Sequence, residues 1–596
     1  MYYFNPWEAK CKWPFGAVKL YEDVSFAFSS DQDVSIKLVI HRDFGSRHEF
    51  DLARVDDRTF STTIQFDKGA ALYFYHFEII ENTDWGGRRL YYGRSALGGE
   101  GLAVENEHDV TNFQLTVIEK EDPTPAWYRD AVFYQIFPDR FNSGKPDGQV
   151  LAPKPNSFIY GAKTDDPFYI KDETGDIARW DFYGGNLEGI IAKIPYLKQL
   201  GVTAIYLNPV FLARSNHRYD TSDYLQIDPM LGTEADFRAL IEALHAEGMH
   251  IILDGVFSHV GQDSRYFNIF GKFGPDEGAA KNINSPYFDW FKFNNYPYDY
   301  KSWWGIKDLP EVDKDNQSFR DFIYGAYDSV LAKWETFGVD GWRLDVADEL
   351  PDSFIRGIRA RLNTYEDQVL IGEVWEDASN KISYGKRRDY ILGDSLQGVM
   401  NYPFRDLIIR YATEQIDAKN VAYALMTLRD NYPRDVFYGN LNNIGTHDSE
   451  RILSMVGDEH MEIAVGMMFM LPGVPCIYYG DEAGLTGLKD PANRKYFPWE
   501  NIYAPIYEVY RHWSHERLAS QALRTGDMKL GFVDNVLVIV RLEGDETIVY
   551  LTNPNRHEIT VDFSRIQFLQ EFSKAAEIKA YEKQKIEASN DLMVKL

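Results

Sequence analysis

From Trp127 to about residue 526 the chain repeats one pattern: a short apolar run, a polar loop, then an amphipathic stretch. The runs Val132–Phe137, Ala204–Leu207, Ile251–Val256, Gly341–Val346, Val369–Val374, Gly398–Tyr402, Leu441–Ile444 and Pro475–Tyr479 have the length and apolar content of fully buried strands. Stretches such as Glu234–Ala246, with Phe237, Leu240, Ile241 and Leu244 on one face, read as the intervening helices. Strands that alternate with helices pair in parallel and are covered on both faces. Eight such units predict an α/β fold, a TIM (β/α)8 barrel over residues 127–526. Its longest interruption, residues 261–316 after the third strand, is rich in Tyr, Phe, Trp and Asn and is expected to form an inserted lid subdomain.

The flanks follow a different period. Val34–Ile40 and Ala71–Ile80 belong to short alternating runs between turn-rich gaps, which predicts an N-terminal β-sandwich over residues 1–122. Glu119–Pro125 is the linker. Val536–Val540 and Thr547–Leu551 alternate again, giving a C-terminal antiparallel β domain over residues 527–596. The net charge of −28 disfavours phosphate backbones, so no nucleic-acid partner is expected. Aromatic residues make up 15% of the chain, which suits large cores or stacking on sugars. The two cysteines, Cys11 and Cys476, form neither a disulfide framework nor a metal knuckle. The start Met1–Glu8 lacks a signal-peptide pattern, and the longest apolar stretch, Ile463–Pro475, is too short for a membrane span. A cytoplasmic protein with no membrane partner is the expectation.

Chemistry is sought where barrel strands end, at their C-terminal edge. There the third strand carries Asp254 and then His259, the fourth Arg343 and Asp345, the fifth Glu373, and the seventh Thr446-His447-Asp448. Arg343 and Asp345 are two apart and face the same side of their strand. Arg343 beside Asp345 predicts a lowered carboxyl pKa, as a nucleophile requires, while Val374 and Trp375 beside Glu373 predict an apolar wall and a raised one. One ionised and one protonated carboxyl is the arrangement of retaining glycosidases. Singly, each residue also has a plain structural reading: an ion pair for Arg343 and Asp345, core histidines for His259 and His447, a solvated strand end for Glu373. Their joint occurrence in order on consecutive strands favours a site.

These strings resemble the four signature regions of the α-amylase family, glycoside hydrolase family thirteen, over residues 127–596. The resemblance implies Asp345 as nucleophile, Glu373 as acid/base and Asp448 as transition-state stabiliser. It implies Arg343, His259 and His447 as sugar-binding residues and Asp254 as a structural neighbour. His217 to Tyr224 resembles the segment after the second strand that lies under the same sugar, with His217 and Tyr219 as candidates; Tyr219 reads equally well as core packing. Asp490 and Arg494 either contact sugar or pair with each other. The sandwich, Met400–Phe404 and Val474–Glu482 resemble the cyclomaltodextrinase, neopullulanase and maltogenic amylase subgroup. That implies α-1,4 cleavage in cyclodextrins, pullulan and maltooligosaccharides with transglycosylation, and a homodimer through the N-terminal domain. Asp348 and the segment Leu309–Asp313 depart from the subgroup's pattern, which bears on linkage and size preference.

No organic cofactor is expected. Asn142, Asp147, Gly184 and Asn186 lie where some relatives bind Ca²⁺ through oxygen, but with Lys145 in the loop they also read as a polar turn and a helix start. The remaining alternatives are an α-1,4/α-1,6-glucosidase or glucan transferase on the same scaffold, a barrel that binds sugar without cleaving it, and an N-terminal domain that binds starch rather than a second copy.

Overall fold

The computed structural model describes residues 1–82, 87–145, 147 and 149–596. Eight parallel strands form the central sheet: β1 Phe133–Ile136, β2 Ala204–Leu207, β3 His250–Gly255, β4 Gly341–Leu344, β5 Val369–Gly372, β6 Gly398–Val399, β7 Leu441–Asn443 and β8 Val474–Tyr478. Each pairs with the next, β8 pairs with β1, and a bridge between Met400 and Leu441 joins β6 to β7, so the sheet closes into a barrel. The sixth strand is shorter than the sequence suggests. Asn401 instead caps the helix Tyr402–Ala412 by accepting from Phe404 N, and Pro403 suits that helix's first turn.

The barrel interior explains where the chemistry sits. Phe133, Ala204, Tyr206, Ile252, Val369, Ile371, Met400, Leu441 and Val474 pack together inside it. Strand side chains alternate, so the residue two further on faces the same way. Phe133 is therefore followed upward by Gln135, Ile252 by Asp254, and Ile371 by Glu373. An apolar plug gives way to a polar layer at the C-terminal ends.

The flanking domains are β-rich. In the first, Val34–Arg42 pairs antiparallel with Tyr73–Glu81, and Phe4, Phe28, Phe77, Tyr92 and Phe113 fill the space between two sheets. In the last, Asp527–Val533, Val536–Glu543 and Glu546–Asn553 form a meander. The apolar stretch Ile463–Pro475 divides between the helix Met461–Met470, buried except at Glu462, and the start of β8; no helix among the described residues is long and apolar enough to cross a membrane.

Three excursions rise over the barrel's C-terminal end. Residues 142–186 follow β1. Residues 261–316 follow β3 and are mostly turns around the hairpin Phe293–Asn295/Asp299–Tyr300. Residues 374–397 follow β5 and carry the hairpin Ile382–Ser383/Lys386–Arg387. Arg387 Nε donates to Asp43 Oδ2 at 2.6 Å, tying the last excursion to the N-terminal domain.

Candidate active site

Arg343 organises the floor of the site. It is fully buried, with Nη1 2.7 Å from Asp254 Oδ1 and 2.9 Å from Asp345 Oδ1, and Nη2 2.7 Å from Glu373 Oε2. Burial pushes the Asp345 carboxyl well above the usual range; Arg343 pulls it down, while Glu373, Asp254 and Asp448 push it further up. This corrects the expectation of a lowered value. Arg343 is not a private partner of Asp345, and one guanidinium cannot balance three carboxylates in a place screened from water. Asp254, Asp345 and Glu373 thus share one buried cation rather than each holding its own.

The surroundings of Glu373 also differ from expectation. Rather than meeting an apolar wall, Oε1 accepts from Trp375 Nε1 at 2.9 Å and Oε2 from the Val346 amide at 2.8 Å. Trp375 is held in turn by stacking on Tyr402, ring centroids 3.8 Å apart. Val346 reaches Glu373 because its backbone is left-handed, φ 38° and ψ 61°. For a β-branched residue that is a strained conformation, of the kind that collects at functional sites. Trp304 and Tyr384, on two of the excursions, are left-handed as well.

A polar relay runs beside the carboxyls. Gln135 Nε2 donates to His447 Nδ1 at 2.9 Å, which leaves the proton on His447 Nε2, 2.6 Å from Tyr219 Oη and 3.0 Å from Asp448 Oδ2. Tyr219 Oη donates to Asp254 Oδ2 at 2.7 Å. The Tyr219 and His447 rings lie parallel, 5° apart in plane. His217 Nδ1 accepts from the Tyr219 amide, and His259 Nδ1 faces Ser258 Oγ at 2.6 Å, while buried His259 Nε2 has no partner among the described residues. Burial holds all three imidazoles neutral: His259 is pushed down to about 3, and His217 and His447 well below their ordinary value. In each ring Nδ1 is engaged within the protein, so Nε2 is the atom left to face a polyhydroxylated ligand.

These groups open on a cavity of about 900 Å³. His217, Tyr219, His259, Asp345, Glu373, His447, Asp448, Asp490 and Arg494 all line it. Arg494 Nη1 pairs with Asp490 at 2.9 Å and Nη2 lies 3.4 Å from Asp448, so that couple is both an ion pair and a wall of the cavity. Arg343 and Asp254 do not line it. The expectation that Arg343 binds sugar is corrected: it is fully buried behind the carboxyls, with Nη1 donating to Asp254 and Asp345 and Nε directed at the Met400 sulfur. Asp254 takes Arg343, Tyr206 and Tyr219, a structural position.

The rim was missed. Trp303, Trp304, Ile306 and Leu309 come from the insertion after β3, and Lys381 to Tyr384 from the hairpin after β5. Glu349 joins the two sides, accepting from Trp304 Nε1 at 3.1 Å and from Tyr384 Oη at 2.7 Å. Aromatic richness in 261–316 signalled the first side. The Tyr384-Gly385 turn between short extended runs could have signalled the second.

The four residues considered for Ca²⁺ do not fit an ion. Asn186 Oδ1 accepts from the Gly189 and Gly144 amides at 2.8 and 2.9 Å, capping the helix Leu187–Ala192. Asn142 Nδ2 donates to Gly189 O, Gly184 N donates to Asp139 Oδ1, and exposed Asp147 accepts from the Gln149 amide. Lys145 pairs with Glu188 at 2.6 Å beside them. Among the described residues Asn186 serves a helix start, and these side chains form no cage of several free oxygens. Pro146 and Gly148 of that loop lie outside the described residues.

Comparison with known proteins supplies the family. The model of the α-amylase catalytic domain matches residues 135–525, which include every strand-end residue named above. The chain belongs to the α-amylase family. Among its relatives in that family is an amylopullulanase of Thermoanaerobacter thermohydrosulfuricus, 33% identical over 87% of this chain and 39% of that protein. A cyclomaltodextrinase of Geobacillus thermopakistaniensis is 34% identical over 78% of each. The chain spans between 31% and 45% of the length of the amylopullulanases it matches. A solved cyclic α-maltosyl-(1→6)-maltose hydrolase of Arthrobacter globiformis, in complex with cyclic α-maltosyl-(1→6)-maltose, superposes with a TM-score of 0.68 at 30% identity, covering 80% of this chain and all of that one.

Proposed function

We propose that this α-amylase-family chain is a retaining glycoside hydrolase that cleaves α-1,4 bonds of cyclodextrins, pullulan and maltooligosaccharides and also transfers glycosyl groups. The observation that carries this is the convergence of Asp345, Glu373 and Asp448, from three strand ends, on one cavity lined by neutral histidines. Asp345 and Glu373 sit on the fork of one guanidinium. That arrangement suits the ~5–5.5 Å carboxyl separation of retaining enzymes rather than the ~6.5–9.5 Å of inverting ones. Asp345 attacks the anomeric carbon as Glu373 protonates the leaving oxygen. Glu373 then removes a proton from water, or from a sugar hydroxyl, as that oxygen displaces Asp345. Asp448, with His447 and His259, grips sugar hydroxyls as charge develops at the ring.

Initial rates on β-cyclodextrin, pullulan and soluble starch, with proton NMR of the first-formed anomer, test the reading. Cyclodextrin ahead of starch with an α-product supports it. A β-product overturns retention, and no cleavage of any α-glucan overturns the enzyme.

The reading includes a homodimer through residues 1–122, supported by the subgroup resemblance and by the exposed Trp13, Tyr21 and Phe44 of that domain. Sedimentation of the full chain checks it, and a monomer removes it. It also includes a cytoplasmic location, supported by two free, buried cysteines, the state that a reducing compartment maintains.

A further inference from the structure

The opposite end of the barrel holds a second cluster of chemistry-bearing side chains that the cavity does not use. His250 opens β3, Asp340 immediately precedes β4, and His245 lies in the last turn of the helix Glu234–Ala246. His245 Nε2 is 2.9 Å from Asp340 Oδ2, and His250 Nδ1 is 3.1 Å from Asp340 Oδ1. The three ligand atoms all lie within 4.8 Å of one another. We propose that His245, His250 and Asp340 form a binding site for a divalent transition-metal ion of the Zn²⁺ type.

The geometry is close to that of a tetrahedral site. Bonds of ~2.0–2.1 Å to nitrogen and oxygen place neighbouring ligands about 3.3 Å apart. Each imidazole already stands near that distance from one Asp340 oxygen, His245 from Oδ2 and His250 from Oδ1. All three ligand atoms lie within 4.8 Å of one another, and the His245 side chain, 39% exposed, has room to adjust toward an ion. Two imidazoles and one carboxylate favour Zn²⁺, Co²⁺ or Ni²⁺ over Ca²⁺ and Mg²⁺, which prefer an all-oxygen shell. With His245 half-exposed, water can complete the shell.

The supports of the ligands are rigid. Asp340 Oδ2 accepts from the Ile251 amide at 2.8 Å, and the Asp340 amide returns a bond to Ile251 O at 2.9 Å. Trp127 lies flat on His250, centroids 4.2 Å apart, and is itself held by donating from Nε1 to Asp367 O. Neither the second nitrogen of His245 nor that of His250 has a protein partner among the described residues. Either ring nitrogen can carry the proton of a neutral imidazole, so each ring can turn a lone pair to the ion.

Such an ion would clamp one helix to two adjacent strands at the end of the barrel where side chains serve stability rather than catalysis. The test uses the full chain freed of metal by a chelator. Isothermal titration with Zn²⁺ should show one site of micromolar affinity and a raised melting temperature, with β-cyclodextrin cleavage unchanged. Co²⁺ should give the intense visible absorption of a four-coordinate ion. His245→Ala, at a half-exposed position, should fold normally by circular dichroism and weaken Zn²⁺ binding at least tenfold; His250→Gln is the second variant. Absence of binding, or affinity and Co²⁺ spectrum unchanged in both variants, overturns the site. So does binding that disappears in the presence of maltose, which would place the ion among His217, His259 and His447.

Discussion

The floor and the rim of the cavity are built on different principles. Asp345, Glu373 and Asp448 stand on or just beyond barrel strands, and the first two are fixed by Arg343, which is 0% exposed. Trp304 and Tyr384 stand on long excursions, 78% and 74% exposed, and meet only through Glu349. The floor is buried and tied by short polar contacts, Arg343 to Asp254, Asp345 and Glu373, and Trp375 and the Val346 amide to Glu373. The rim rests on a few bonds in high dielectric, each worth little. The difference assigns chemistry to the floor and the choice of ligand to the rim, because only rigid groups can hold reacting atoms to a fraction of an ångström.

Breaking the floor should give the largest effect. Asp345→Asn should lower kcat on β-cyclodextrin by roughly 10⁴-fold or more with the fold intact, the scale of losing a nucleophile; full activity in a steady-state assay would remove its role. Glu373→Gln should cost about 10²–10⁴-fold on glucans and much less on a glycosyl fluoride, whose leaving group needs little protonation. Equal losses on both substrates would mean that Glu373 only positions Arg343.

The rim should respond in choice rather than in rate. Tyr384→Phe and Trp304→Ala should change kcat by less than about tenfold while raising KM and shifting the transfer-to-hydrolysis ratio, read by product chromatography with maltotriose as acceptor. If kcat alone falls, the two regions are not separable. Arg387→Ala, which frees the hairpin from Asp43, should give a smaller shift in the same direction.

The buried histidines set a pH dependence of stability. His259 takes up a proton near 6.5 when unfolded but only near 3 when folded, so between those values the unfolded chain binds more protons and acid destabilises the fold. Denaturant titrations of His259→Gln should lose up to about 1.4 kcal/mol per pH unit of that slope. Asp345 and Asp448, raised by burial, work in the opposite sense: their contribution is present in acid and lost as pH climbs through their folded values. An unchanged slope in the variant would mean that water enters the folded site and charges His259.

By itself the sequence determined the barrel and the polar layer at its top. Strand and helix periods are local properties, and alternation on a strand forces Arg343 and Asp345 to one side and sets Asp254 two residues above Ile252. What it left open required the closed barrel. The pKa of Asp345 depends on Glu373, Asp254 and Asp448 arriving from other strands, and local reading saw only Arg343 two residues away. The burial of Arg343, the bond from Trp375 to Glu373, and the use of Asn142 and Asn186 in a helix cap follow in the same way from tertiary neighbours. The Trp304–Glu349–Tyr384 arch joins residues from separate excursions, whose meeting no periodicity encodes. Local patterns fix which way a side chain points, but electrostatics and shape sum over everything within a few ångströms, and only the folded chain decides what is there.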